Sequence, residues 1–190
     1  MDPTEPRPGP PEPADERIGR AVARLEDAVE RRPGFGRSTT TSTTTLLDGV
    51  RCSSREGVHR IETDLGPALG GDGRGPTPSA LLRAALGSCL AMGYRLRAAR
   101  HGIPVGSIRV EVVTDSALGG MLDPGSPFPP GFSQIRYRVE IDSAEPAERI
   151  ERLITEADRL SPVLDAVSRA NQVTRTGSSA PSLTTSGGGS

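Results

Sequence analysis

The feature that most constrains the fold of this chain is a long apolar segment with clear helix boundaries, Pro78 to His101. Thr77 can cap the helix, and Pro78 takes the first helical position, where its missing amide hydrogen is not needed. Gly102 ends the segment. The first half is apolar on nearly every face, with Leu81, Leu82, Ala84, Ala85, Leu86, Cys89, Leu90 and Met92. The segment therefore predicts a helix buried all round, at the centre of the core.

Strand patterns lie on both sides of this helix. Runs rich in β-branched residues predict short strands before it, at 38–45, 50–54 and 58–64. Alternating apolar residues predict two strands after it, at 108–113 and 135–141, and 172–176 could add a last strand. The glycine- and proline-rich segment 119–131 separates those two strands.

Two further segments show helical periodicity. Ile18, Val22, Leu25 and Val29 recur at helical spacing after Asp15, a candidate N-cap, and Pro33-Gly34 ends the run. A second stripe lies between Ile150 and Leu160, and Ser161 before Pro162 can cap a short helix through Val167. The order β-β-β-α-β-β-α-(α)-β predicts an α+β fold in which a long buried helix packs on a bent antiparallel sheet. We expect a disordered tail at 1–14, an amphipathic helix at 15–33, one domain at 34–176 and a second tail at 177–190.

Composition excludes several classes of function. The 190 residues carry a formal net charge of −1, and every basic residue is arginine, which rules out a lysine Schiff base or a P-loop lysine. Acidic residues are interleaved with the arginines and only five residues are aromatic, so nucleic-acid binding is not expected. No apolar run approaches the ~18 residues of a membrane helix, and the N-terminus lacks a secretory pattern. We expect a cytoplasmic protein.

Two chemical sites suggested by single motifs fail in detail. Gly71, Gly73 and Gly75 precede the central helix, but no parallel βαβ unit surrounds them, so they do not predict a nucleotide site. Cys52, His59, Cys89 and His101 have spacings that match no zinc pattern. No cofactor and no metal are expected. By composition alone, Cys89 is a small buried hydrophobe.

The stretch from Gly70 to Val112 resembles the OsmC/Ohr family, the osmotically inducible protein C and organic hydroperoxide resistance proteins. It reads GGDGRGPTPSALLRAALGSCLAMGYRLRAARHGIPVGSIRVEV. The resembling features are the glycine-rich loop, the proline that opens the helix, the ALGSCLAM run and the GIPVGSIRVEV exit into a strand. The resemblance extends from about Thr39 to about Thr176. It implies an OsmC-like fold and an intertwined homodimer with its active site at the subunit interface.

The same resemblance implies a set of site residues. In the peroxidase members, a helix cysteine attacks a hydroperoxide and becomes a sulfenic acid, and Cys89 matches that position. The family's second cysteine, just before a proline in a later helix, is replaced by Ser161, and its glutamate after the helix-opening proline is replaced by Ser79. Arg51 is the nearest candidate for the family's arginine, although a gapless comparison puts Asp48 there.

Two functions from different classes remain open. The first is a thiol peroxidase that reduces organic hydroperoxides through Cys89, with an external thiol or Cys52 as the resolving thiol. Cys89 lies about three turns into the helix, too far for the helix N-terminus to stabilise a thiolate, so Arg51 is expected to do so, either from the same chain or across the dimer. Ser161 is expected to take no part in turnover. The second is a non-catalytic protein that binds a hydrophobic small molecule at the dimer interface.

Overall fold

A computed structural model describes residues 12–178 of the chain. The helices are α1 (Ala14–Arg31), α2 (Pro78–Arg100), α3 (Leu118–Leu122), α4 (Ala147–Arg159) and α5 (Pro162–Ser168). The strands are β1 (Thr43–Leu46), β2 (Cys52–Glu56), β3 (His59–Thr63), β4 (Ile108–Ser116) and β5 (Phe132–Ile141). Most of the two expected tails lies outside the described residues. The combination of helices with antiparallel sheets is the α+β class that the sequence predicts.

The central helix α2 forms over the predicted range and begins in the predicted way. The side-chain oxygen of Thr77 accepts a hydrogen bond from the Ala80 amide at 3.2 Å, and Pro78 stands in the first turn. One face of α2 is fully buried and carries Leu86, Leu90, Tyr94 and Ala98. Their four-residue spacing keeps them on one stripe. Burial of each leucine stabilises the fold by roughly 1.5–3 kcal/mol, so this stripe anchors the core.

An antiparallel ribbon covers the buried stripe of α2. β4 pairs with β5 in a register that sets Val110 opposite Val139 and Val112 opposite Tyr137. Alternate residues of the two strands point the same way, because side chains in a strand alternate between its faces. Those that pack against the stripe are Ile108, Val110, Val112, Ile135, Tyr137, Val139 and Ile141. Val163, Leu164 and Val167 of α5 complete this side of the core.

The first three strands form a separate antiparallel sheet in the order β1-β2-β3. A tight turn joins β2 to β3, with Gly57 at a φ of 56°, a backbone conformation that glycine adopts without strain. Within residues 12–178, neither α2 nor the ribbon packs extensively on this sheet. Leu46, Val58 and Ile61 accordingly remain exposed. The sheet keeps apolar side chains in contact with solvent within one chain.

The N-terminal helix α1 packs along the C-terminal half of α2. Gly19 lets the two backbones approach, since a Cβ built on it would lie 2.6 Å from the Ala99 carbonyl oxygen. Val22 is buried at this contact. Glu26 accepts hydrogen bonds from Arg97 Nη1 at 2.8 Å and from Arg100 Nε at 2.5 Å. The amphipathic helix expected at 15–33 is thus docked by close backbone packing and by ion pairs.

Three expectations about these elements are wrong. Residues 172–176 form no strand; Asn171 Nδ2 instead donates to the Ala166 carbonyl, and the chain continues in irregular structure. Asp15 does not cap α1, because the helix begins one residue earlier and the Asp15 carboxylate lies 2.6 Å from Arg95 Nη2. α2 is not buried all round within one chain, since Met92 is 65% exposed and Leu96 is 41% exposed.

Across residues 12–178 no helix combines the length and the apolar character that crossing a bilayer requires.

Candidate active site

The half-buried thiol of Cys89 lies where α2 meets the junction of α4 and α5. Its Sγ is 3.4 Å from the Ser161 hydroxyl oxygen, a hydrogen bond between residues 72 positions apart. Ser161 is buried and caps α5, accepting a hydrogen bond from the Leu164 amide at 3.3 Å. With its oxygen engaged by that amide, the hydroxyl can turn its hydrogen toward the sulfur. The polar neighbour that the chain supplies to Cys89 is therefore a hydroxyl group.

A cleft of about 210 Å³ opens beside this thiol. Its lining is mostly apolar and consists of Cys89, Met92, Gly93, Leu96, Arg97, Ala157, Leu160, Ser161 and Pro162. α2 supplies one wall, and the end of α4 with the start of α5 supplies the other. A larger hollow of about 860 Å³ lies on the outer side of α4, but it is lined chiefly by charged side chains and Cys89 is not among them. The Cys89 thiol therefore lies in the smaller cleft.

The junction that carries Ser161 is fixed by Asp158, which sequence reasoning missed. Its two carboxylate oxygens accept hydrogen bonds from the phenols of Tyr94 on α2 and Tyr137 on β5, both at 2.7 Å. The Asp158 carbonyl also accepts the Ser161 amide at 3.2 Å. This carboxylate holds the end of α4 against both α2 and the ribbon, and so keeps Ser161 beside Cys89.

Arg51 lies in the loop between β1 and β2, among carboxylates. Its Nε donates to Asp48 at 3.0 Å and its Nη1 donates to Glu62 at 3.4 Å. The hydrogen bond from Arg51 holds the pKa of the Asp48 carboxyl below its usual range. Asp48 and Arg51, the two positions that compete for the family's arginine, thus bind each other. Within residues 12–178, no hydrogen bond joins Arg51 to Cys89.

Cys52 and Cys89 are not brought together in the chain. Cys52 is the first residue of β2, where it pairs with Leu46 on one side and Thr63 on the other. Both cysteines are free thiols, and Cys52 does not line the cleft beside Cys89.

The glycine-rich loop before α2 is wrapped around a carboxylate of its own chain. Asp64, which is buried, accepts hydrogen bonds from the amides of Leu65, Asp72 and Arg74. These bonds, chiefly that from Arg74, hold the pKa of Asp64 below its usual range. Amides that a phosphate would need are therefore already occupied. In the described part of the chain, no three His, Cys, Asp or Glu side chains cluster closely enough to hold a metal ion.

Arg97, which lines the cleft, is a second residue that sequence reasoning missed. Its number differs from that of Cys89 by eight, and Gly93 lies midway, so the three share one stripe of α2. That spacing is visible in the sequence. The ion pair between Arg97 and Glu26 of α1, 71 residues away, cannot be seen in the sequence, because it depends on how two helices dock.

Comparisons with known proteins agree with this architecture. Residues 71–176 match the family model described as OsmC-like protein. A search of curated proteins finds no match. Among solved structures, the OsmC-like protein from Mycoplasma pneumoniae is 17% identical, with a TM-score of 0.58 over 68% of this chain and 87% of that chain. An organic hydroperoxide resistance protein from Elizabethkingia anophelis is 20% identical, with a TM-score of 0.52 over 70% of this chain and 91% of that chain.

At these identities the structural likeness establishes a shared fold. The family model spans more than half of the chain and includes α2 with Cys89, the ribbon and the α4–α5 junction with Ser161. The chain therefore belongs to the OsmC-like protein family.

Proposed function

We propose that this protein reduces organic hydroperoxides through Cys89. The observation that carries the proposal is the setting of the thiol: Sγ borders a mostly apolar cleft and has a hydroxyl group at 3.4 Å. An apolar cleft suits the organic part of a hydroperoxide. The Ser161 hydroxyl can donate a hydrogen bond to a thiolate, the form of cysteine that attacks the O–O bond.

The proposed reaction has two stages. The Cys89 thiolate attacks the outer peroxide oxygen, the O–O bond breaks, and the alkoxide takes a proton and leaves as an alcohol, giving Cys89 sulfenic acid. An external thiol then attacks the sulfenic sulfur and releases water. A second external thiol breaks the mixed disulfide, regenerating Cys89 and yielding an external disulfide. Over one cycle, two thiols are oxidised while the hydroperoxide is reduced to alcohol and water.

An external thiol is the better-supported reductant for Cys89. Ser161 stands beside the sulfur, and a hydroxyl cannot form a disulfide. Cys52 lies in the three-stranded sheet rather than in the cleft. The proposal keeps Cys52 as the alternative resolving thiol, since a partner chain could bring it nearer.

We also propose that the functional unit is a homodimer. Met92 and Leu96 on α2 and Leu46 and Ile61 on the three-stranded sheet are exposed within one chain. Apolar surfaces of this kind on two separate elements favour a second copy as their cover. In that dimer Arg51 would approach Cys89 from the partner chain, because among residues 12–178 of its own chain Arg51 hydrogen-bonds to Asp48 and Glu62 and not to Cys89.

The alternative function is non-catalytic binding of a hydrophobic small molecule. It is favoured by one observation: within residues 12–178, Cys89 forms its hydrogen bond with the neutral Ser161. A thiol without a cationic partner is a weaker nucleophile near neutral pH.

Consumption of cumene hydroperoxide in the presence of dithiothreitol separates the two functions. The wild type and Cys52→Ser should turn over at similar rates, and Cys89→Ser should be inactive. Loss of turnover in Cys52→Ser with a monothiol reductant would make Cys52 the resolving thiol. If the wild type consumes hydroperoxide no faster than Cys89→Ser does, the peroxidase proposal is contradicted and the binding function is favoured.

A further inference from the structure

We propose that Arg97 makes the Cys89 cleft selective for ligands that carry a carboxylate. The ligand would place its reactive atom at the sulfur, lay an apolar body over Gly93 and bind Arg97 through its acid group. This inference deepens the proposed function, since it names the class of substrate for the same cleft.

The first support is the arrangement of three residues on one helix face. Cys89, Gly93 and Arg97 follow one another at four-residue intervals on α2, and all three line the cleft. At a rise of 1.5 Å per residue, the backbone positions of Cys89 and Arg97 are about 12 Å apart. Side chains on a helix tend to lean toward its N-terminus, which is the direction from Arg97 to Cys89.

The second support is the bare position between the two functional groups. A Cβ built on Gly93 would have no atom within 4 Å. Glycine in a helix interior is about 1 kcal/mol less favourable than alanine, and the packing of this chain gives no reason for it here. Because Gly93 has no side chain, the helix surface between the Cys89 thiol and the Arg97 guanidinium is unobstructed. Apolar surface around Gly93 comes from Met92, Leu96 and Leu160.

The third support is the charge balance around Arg97. Its Nη1 lies 2.8 Å from Glu26 and 3.7 Å from Glu156. Each of those carboxylates has another partner: Arg100 Nε is 2.5 Å from Glu26, and His101 Nε2 is 3.0 Å from Glu156. Arg97 therefore shares both of its carboxylate partners with another side chain.

Arg97 also retains donors for a ligand. Among the described residues, both of its ion pairs engage Nη1, which leaves Nε and Nη2 for an acid group. The Arg97 side chain is 21% exposed, so it is shielded from water on most sides while still open to the cleft.

The test uses alkylation of Cys89, which needs an accessible thiol but no peroxidase activity. In the full-length Cys52→Ser protein, the thiol is treated with maleimides that carry a carboxylate on a spacer (maleimidoacetic, maleimidobutyric and maleimidohexanoic acids) and with the corresponding amides. The sulfur bonds to one ring carbon and the adjacent ring carbon takes up a proton. The measured quantity is the ratio of the acid rate to the amide rate at each spacer length.

For at least one spacer, the acid should react about five- to tenfold faster than its amide, the effect of one hydrogen bond of net strength about 1 kcal/mol. Arg97→Gln should bring the ratio close to one, and Arg97→Lys should retain part of the preference. Arg100→Gln is the matched control, because Arg100 binds the same Glu26 but does not line the cleft; its ratio should stay at the wild-type value. Gly93→Leu should slow the maleimides while leaving the small reagent iodoacetamide unaffected.

A ratio that is unchanged by Arg97→Gln, or lowered equally by Arg100→Gln, would overturn the inference. Failure of Cys89 to react with any maleimide would also overturn it. Circular dichroism and thermal unfolding of each variant identify any that do not fold. A protein that prefers acidic maleimides but consumes no hydroperoxide would support this inference and contradict the proposed function. A protein that consumes hydroperoxide but shows no preference for acidic maleimides would support the proposed function and contradict this inference.

Discussion

At the scale of single residues, the Asp158 carboxylate is the group that joins α4 to both α2 and the ribbon. It accepts hydrogen bonds from Tyr94 and Tyr137, and these are the two tyrosines of the whole chain. Burial, and then the hydrogen bond to Asp158, raises the pKa of Tyr137 to about 12. Burial raises the pKa of Tyr94 as well. Both phenols are thus held in their neutral, hydrogen-donating form.

This cluster predicts an alkaline limit to stability. An unfolded tyrosine loses its proton near pH 10, so the stabilisation is fully present below that pH and is lost as the pH rises toward about 12, the folded value for Tyr137. Absorbance at the tyrosinate band should stay flat through about pH 10 and then rise together with unfolding. Tyr137→Phe should leave one titrating phenol. A titration midpoint near 10 in folded protein would contradict the geometry.

The contact between Cys89 and Ser161 gives a second prediction at this scale. Because the two side-chain atoms are already 3.4 Å apart, Ser161→Cys should bring a second sulfur within reach of a disulfide, whose bond length is about 2.05 Å. A single equivalent of hydroperoxide should then produce a disulfide between positions 161 and 89. Ser161→Ala is the control, since it loses the same helix cap at a cost of about 1 kcal/mol. Persistent free thiols in Ser161→Cys, when the Cys89 of Ser161→Ala is oxidised to a sulfenic acid by the same treatment, would contradict the 3.4 Å contact.

At the scale of elements, two helical glycines should respond oppositely to alanine. Gly19→Ala would place a methyl group 2.6 Å from the backbone carbonyl of Ala99, so α1 must move away from α2. Gly93→Ala meets no atom within 4 Å and should stabilise the helix by roughly 0.5–1 kcal/mol. Hydrogen exchange should show lost protection in α1 for Gly19→Ala alone. Equal melting temperatures for both variants would contradict this packing.

The helix boundaries were predictable where residues next to the boundary determine them. Thr77-Pro78 and Ser161-Pro162 start helices by capping, and both starts are confirmed. The Asp15 cap is wrong because α1 already begins at Ala14 and because Arg95, distant in sequence but on the helix that packs against α1, binds that carboxylate. The strand expected at 172–176 is wrong because a strand requires a neighbour, and the local sequence cannot supply that information.

At the scale of the whole molecule, the exposed side of α2 and the poorly covered three-stranded sheet predict a dimer. Light scattering at micromolar concentration should give twice the chain mass of 19.9 kDa. Met92→Glu would bury a carboxylate in the proposed interface, at a cost of a few kcal/mol, and should shift the mass toward the monomer. Leu25→Glu, on the exposed side of α1, is the matched control and should remain dimeric. A wild-type mass equal to one chain would contradict the prediction.

Less of the candidate site was predictable than of the fold. Cys89 was found because the run around it is contiguous in sequence. Its neighbour Ser161 was located by family resemblance, but the hydrogen bond between them was not foreseen, since it joins residues 72 positions apart. The roles of Asp158 and Glu26 depend on how three helices and the ribbon pack together, and single-sequence periodicity does not determine that geometry.

The central claim is that Cys89 becomes a sulfenic acid when it meets an organic hydroperoxide. The most direct measurement is dimedone trapping in the Cys52→Ser protein, treated with cumene hydroperoxide between about pH 6 and 9 and mapped by mass spectrometry. The proposal predicts a dimedone adduct on Cys89, none after Cys89→Ser, and a weaker signal in Arg51→Ala if the partner chain supplies that arginine. A Cys89 that stays unlabelled across the whole pH range would contradict the claim.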